Sequence, residues 1–307
     1  MTAPPRGASY PAGNPPASVA SGRWEGPPPF LVEAVVERAL QEDLGPVGDV
    51  TSSALVPADL RARAVLVAKA RGVVAGLEVA RRTFRRLDPE LSWDAQVADG
   101  DEVVAGTCLV RLAGKARALL AAERVALNFL QHLSGVATAT REFVRGCAGT
   151  RARILDTRKT LPGMRALQRY AVRVGGGWNH RFGLFDGVLI KDNHVALTGG
   201  VGPAVRAARA AVGPMVKVAV EVRSLGELEE AIAAGADHLL LDNMTLEELR
   251  QAVRLCRGRI PLEASGGVTV DTVADVAATG VDYISVGAIT HSAQALDISL
   301  EIESGWR

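Results

Sequence analysis

The sequence predicts an α/β protein: an N-terminal α+β domain followed by an open, incomplete α/β barrel. Three observations carry that reading. In the second half, short apolar runs recur at Ile154-Leu155, Val188–Ile190, Val218–Val222, His238–Leu241, Leu262–Ala264 and Tyr283–Val286, with helical segments between them. Continuous apolar strands alternating with helices mark a parallel sheet. The runs are spaced about 21 to 33 residues, one βα unit each. Only six such units fit, against eight in a closed barrel of about 250 residues. The first half lacks this rhythm and mixes helical and alternating patterns.

Taken in order, residues 1–29 hold eight of the 15 prolines and four glycines. Such a segment has no apolar core and no secretory-signal pattern, and is expected to be a disordered tail. Helical spacing starts at Phe30 and should stop near Gly45-Pro46. "ARAVLVAKARGVVAG" alternates like a strand that turns at glycines, Leu77–Leu87 returns to helix, and "LSWDAQVADGDEV" and "GTCLVRLAG" read as short strands. A long helical pattern from about Lys115 to Gly146 carries a candidate break at Ser134-Gly135. Two barrel helices open with capping boxes, Ser224 with Glu227 and Thr245 with Glu248. The expected division is a tail at 1–29, an N-terminal domain at 30–134 rejoined by 295–307, and a barrel at 135–294.

Composition narrows the function. At 307 residues, 48% hydrophobic and 22% charged, the chain has the make-up of a globular enzyme. A net charge of +1 and 13 aromatic residues argue against nucleic acid or an anionic membrane as the main partner. Val125–Thr140, one of the longest charge-free stretches, carries too many polar residues to span a bilayer. Cys108, Cys147 and Cys256 have neither disulfide-framework nor zinc spacing, which points to a reducing compartment, the cytoplasm.

Barrels place chemistry just past the C-terminal ends of their strands. Those positions here read Asp156-Thr157-Arg158-Lys159, Lys191-Asp192-Asn193-His194, Glu221, Asp242-Asn243, Ser265-Gly266-Gly267 and Gly287-Ala288. Residues 151–191 contain nine Lys or Arg against two Asp, a local +7, while the rest of the chain holds 26 basic and 32 acidic residues, or −6. A positive module in a neutral protein suits a small anion. Arg165, Arg169 and Arg173, spaced i, i+4, i+8, read equally well as one solvated helix face. The glycine pairs at the last two strand ends suit phosphate, or simply a tight turn. Glu221 and Asp242, on neighbouring strands, suit a magnesium ion or sugar hydroxyls, or are satisfied structural acids. His180 and His194 each read as a structural histidine when taken alone. The residues by themselves reach a two-domain enzyme acting on a phosphorylated, polyanionic small molecule.

The runs "DTRKTLPGMRALQRYAVRVGGGWNHRFGL", "LIKDNHV", "VEVRS", "LLLDN", "EASGG" and "GVDYISVGAITHS", with the earlier "EDLGPVGDVTS" and "AERVALNFLQHLSGVATAT", resemble the quinolinate phosphoribosyltransferases. The resemblance spans Phe30 to the C-terminus. It implies an α+β sandwich domain before the open barrel, and a homodimer with active sites shared between subunits. The implied reaction, in de novo NAD biosynthesis, joins quinolinate to phosphoribosyl pyrophosphate with magnesium, giving nicotinate mononucleotide, pyrophosphate and carbon dioxide. It further implies that Arg158, His180, Arg181 and Lys191 surround the quinolinate carboxylates, with Thr157 among the substrate-binding residues, and that Arg124 reaches in from the partner. Lys159, Glu221 and Asp242 would serve the phosphoribosyl end and its metal, and Ser265, Gly266, Gly267, Gly287 and Ala288 the phosphate.

Rival readings are a nicotinate or nicotinamide phosphoribosyltransferase, which needs fewer cations, and a non-catalytic binding relative, which should have lost some of Arg158, Lys159, Arg181 and Lys191. An indole-type synthase leaves the extra domain unexplained.

Overall fold

The computed structural model describes residues 26–303. Most of the expected tail therefore lies outside the described residues. Its last residue, Pro29, instead opens helix α1 (Pro29–Leu44), where a proline costs nothing because the first N–H groups of a helix are unbonded. The helix ends at Gly45. A short helix α2 (Val50–Leu55) follows, capped by the Asp49 carboxylate, which accepts from Ser52 N–H.

The N-terminal domain is an antiparallel sheet backed by helices. Strands β1 (Arg61–Ala68), β2 (Gly72–Val73), β3 (Ser92–Ala95), β4 (Glu102–Val103) and β5 (Cys108–Lys115) enclose helix α3 (Leu77–Leu87) in the chain order. The chain then runs 31 residues along helix α4 (Ala116–Gly146). No break occurs at Ser134-Gly135. Gly135 is there because a Cβ would overlap the carbonyl of Gln294, so the glycine allows a close crossing rather than ending the helix.

The barrel strands are β6 (Arg153–Leu155), β7 (Val188–Ile190), β8 (Val218–Val222), β9 (His238–Asp242), β10 (Leu262–Ser265) and β11 (Tyr283–Ser285). They form one parallel sheet in the order β6-β11-β10-β9-β8-β7. The edge strands β6 and β7 do not pair with each other, so the barrel is open. On the β6 side a single bridge, Leu155 to Trp178, adds a short segment beyond the sheet. Between the strands lie α5 (Arg165–Val174), α6 (Asp192–Thr198), α7 (Val201–Ala211), α8 (Leu225–Ala234), α9 (Leu246–Cys256) and α10 (Val273–Ala278), and the one-turn α11 (Ala288–His291) follows β11. Thr245 and Glu248 form the full capping box. Ser224 caps its helix, but Glu227 reaches back to Arg223 N–H instead of to Ser224.

The chain ends by leaving the barrel. Strand β12 (Ile298–Ile302) pairs antiparallel with β1, Leu300 opposite Leu66, in the sheet order β12-β1-β5-β3. Two apolar cores result. One fills the N-terminal sheet and α3, around Leu66, Phe84 and Leu109, and the other surrounds the barrel strands. Helix α4 contributes to both, with Leu119 and Leu130 in the first and Leu133 and Val136 in the second.

Candidate active site

Register sets the level of the site. Asp242 lies opposite Ser265, Ser265 opposite Ser285, and Ser285 opposite Leu155, so the four strand ends line up. At the end of β6 Asp156 is fully buried. It accepts from the Asn179 side-chain amide at 2.5 Å, from His180 N–H at 2.8 Å and from Arg169 Nη1 at 3.3 Å. Burial pushes its carboxyl up to about 6, against the opposing pull of Arg169.

The arginines of α5 are not a solvated face. Arg169, 13% exposed in its side chain, also donates to the carbonyls of His180 at 2.7 Å and Arg181 at 3.2 Å. Arg165 reaches Thr160 Oγ1 and the Phe182 carbonyl, and Arg173 donates to the Gly177 carbonyl while stacking on Trp178. The i, i+4 pattern was readable in the sequence, but the loop it fastens, folding back from Gly175 to Phe182, was not.

This fastening presents a group of cations. Arg158 and Lys159 project exposed from the end of β6, and Thr157 Oγ1 accepts Lys159 N–H at 3.0 Å. Thr290 Oγ1 donates to the Lys159 carbonyl at 2.8 Å, and a Cβ on Gly287 would come within 3.0 Å of Lys159 Cδ, so the ends of β6 and β11 adjoin. Arg181 donates through Nη1 to the Gly187 carbonyl at 2.7 Å, while its buried Nε has no hydrogen-bond partner. Burial, then the like charge of Arg158, lowers the Arg181 pKa, against the opposing pull of the Asp186 carboxylate. Burial likewise lowers the His180 pKa. Its Nδ1 accepts Arg181 N–H at 2.7 Å.

Across the opening lie the acids. Glu221 and Asp242 sit on β8 and β9, and Lys191 Nζ donates to Glu221 Oε2 at 2.6 Å. Arg223, a residue the sequence reading passed over, spans the cluster. It meets Asp192 at 3.1 Å, Asp242 at 3.4 Å and Glu221 at 3.7 Å. The signal was available: in "VEVRS" Arg223 follows Glu221 by two, the period that keeps a strand's side chains on one face. His194 is structural, its Nδ1 accepting Lys191 N–H at 3.0 Å. At the end of β10, Gly266 and Gly267 have φ of +97° and +64°, left-handed values that glycine alone adopts without strain. Gly287 and Ala288 begin the turn into α11. Arg124, on α4, is exposed, and no ion pair engages it among the described residues.

With this geometry in view, two family models describe the chain. That of the quinolinate phosphoribosyl transferase N-terminal domain matches residues 49–134, and that of the C-terminal domain matches 136–301. The chain belongs to the quinolinate phosphoribosyltransferase family. It is 45% identical over 261 residues to a probable carboxylating nicotinate-nucleotide pyrophosphorylase of Bacillus subtilis, covering 85% of this chain and 90% of the relative. A mitochondrial decarboxylating quinolinate phosphoribosyltransferase of Nicotiana tabacum is 42% identical over 295 residues, covering 90% and 84%. The solved nicotinate-nucleotide pyrophosphorylase of Francisella tularensis superposes with a TM-score of 0.86 at 40% identity, covering 90% of this chain and 97% of that one. The six-stranded parallel sheet here is open, and no helix among the described residues is long and apolar enough to cross a membrane.

Proposed function

We propose that this member of the family transfers the phosphoribosyl group of phosphoribosyl pyrophosphate to quinolinate with loss of carbon dioxide, giving nicotinate mononucleotide and pyrophosphate for NAD biosynthesis. The observation that carries the substrate choice is Arg181, whose buried Nε has no hydrogen-bond partner and on which the like charge of Arg158 also acts. A dicarboxylate satisfies such a site, because guanidinium and carboxylate match in planar, paired hydrogen bonds.

In this reading Arg158, Arg181 and Lys191 enclose the quinolinate carboxylates, His180 holds the backbone of Arg181, and Thr157 lines the same strand end. The ring nitrogen attacks the anomeric carbon as pyrophosphate leaves. Lys159, at the meeting of β6 and β11, then stands beside the carbanion left by decarboxylation next to the quaternised nitrogen and offsets its charge. Ser265, Gly266 and Gly267, with Gly287 and Ala288, receive the 5-phosphate through backbone N–H groups.

Magnesium fits the acidic side. Among the described residues no three His, Cys, Asp or Glu converge on a metal position, but magnesium is commonly held by one or two carboxylates plus substrate phosphate oxygens. Glu221 and Asp242 supply such a pair, and the ion bound there would offset charge on the pyrophosphate. We propose further that the protein works as a cytoplasmic homodimer, Arg124 completing the partner's site. The unpaired, exposed Arg124 supports this. So does a cleft of about 270 Å³ lined by Asp43, Asp49 and the exposed Val50 together with Leu120 and Ala121, which lie about a turn from Arg124 on the same helix.

The test is substrate preference. Nicotinate lacks one carboxylate and leaves cations unpaired, at a cost on the order of 2–5 kcal/mol. Its kcat/KM should therefore fall well over tenfold below that of quinolinate; equal efficiencies would refute the reading.

A further inference from the structure

Beneath the strand ends the barrel interior is polar where most barrels are filled with branched apolar side chains. Its centre is Glu263 on β10, fully buried. One oxygen, Oε2, lies 2.7 Å from His238 Nε2 and 3.6 Å from His180 Nε2, and the other, Oε1, has no hydrogen-bond partner. Tyr283, on β11 opposite Glu263, packs against His238, their ring centres 5.6 Å apart. Neither the reaction scheme above nor the strand-end pattern uses Glu263, although it precedes Ser265 by two and so shares its face.

We propose that Glu263 is a positioning residue that acts through His180 on Arg181. The His180 ring stands between them: Nδ1 accepts the Arg181 N–H, so the ring proton sits on Nε2, the nitrogen that faces Glu263. Asp156 and Arg169 hold the same turn by its main chain, bonding His180 N–H and the carbonyls of His180 and Arg181. Two buried acids thus fix the segment from two directions, Asp156 its backbone and Glu263 its ring. Removing the carboxylate takes away the charge that His180 Nε2 faces at 3.6 Å, which frees the ring to rotate or change tautomer, and Arg181 loses the backbone contact that aims its side chain.

The proposal rests on the quinolinate reading, and its test separates the two. Nitrogen-15 NMR of the imidazole rings in the wild-type protein should show His180 as the tautomer with bare Nδ1 and protonated Nε2. In Glu263→Met, which keeps length but removes both acceptor oxygens, that signature should be lost. The KM for quinolinate should rise at least tenfold, with the KM for phosphoribosyl pyrophosphate within twofold of wild type. Glu263→Gln, which keeps one acceptor oxygen, should recover most of the loss. A protonated Nδ1 in the wild type, a quinolinate KM within twofold in Glu263→Met, or an equal rise in both KM values would overturn the proposal. If Glu263→Met does not fold, a wild-type spectrum with protonated Nδ1 still overturns the proposal. Should the wild type fail to use quinolinate, the functional reading falls, while the NMR result judges Glu263 separately.

Discussion

Asp156 stands next to the chemistry in sequence and apart from it in role. It occupies the strand-end position where barrels place catalytic groups, yet its oxygens are consumed by Asn179, His180 and Arg169. Exposure separates it from Arg158 and Lys159, and a strand-end pattern alone does not reveal exposure. The same limit hid Glu263, and Arg223 was passed over although its spacing from Glu221 marked it, whereas Lys191, Glu221 and Asp242 stood out because a charged group ending an apolar strand has few structural reasons to be there. Burial raises the Asp156 carboxyl to about 6, above the ordinary 3.8 it regains on unfolding. The folded state therefore binds the proton more tightly, and this group's contribution is complete below pH about 4 and lost as the pH rises through about 6. Asp156→Asn cannot titrate. Its stability deficit relative to wild type should narrow between pH 4 and 7, by up to about 3 kcal/mol, in urea unfolding at each pH. A deficit that stays constant or widens would contradict the assignment.

Elements were more legible than their junctions. The apolar runs located all six barrel strands within a residue or two, because a parallel strand buried on both faces leaves a continuous hydrophobic signal. The Ser134-Gly135 break failed for a physical reason: a glycine inside a helical pattern signals either a stop or a close crossing, and only the partner segment tells them apart. Here the partner is the strap before β12, where Leu296 N–H donates to the Gln131 carbonyl and the Gln131 side chain donates to the Ile298 carbonyl. Gly135→Ala gains about 1 kcal/mol of helix propensity but drives a methyl into the Gln294 carbonyl. The clash should win, with a net loss of about 2–3 kcal/mol in denaturant unfolding. A stabilised Gly135→Ala protein would show that the strap yields freely.

At the scale of the whole molecule, helix α4 lies in both cores and carries Arg124, away from the strand ends that bear the other proposed ligands. If Arg124 serves a partner's site, Arg124→Ala and Lys159→Ala should each be nearly inactive, and mixing them with subunit exchange should restore about a quarter of wild-type activity. Random pairing makes about half the dimers mixed, each with one intact site of two. No recovery, with exchange confirmed by mass, would assign Arg124 to its own chain. The central claim is the coupling of phosphoribosyl transfer to decarboxylation, and labelled carbon dioxide tests it most directly. With quinolinate labelled in the carboxylate beside the ring nitrogen, release should equal nicotinate mononucleotide formed and should require phosphoribosyl pyrophosphate. Nucleotide formed without label release, or release without phosphoribosyl pyrophosphate, would contradict it.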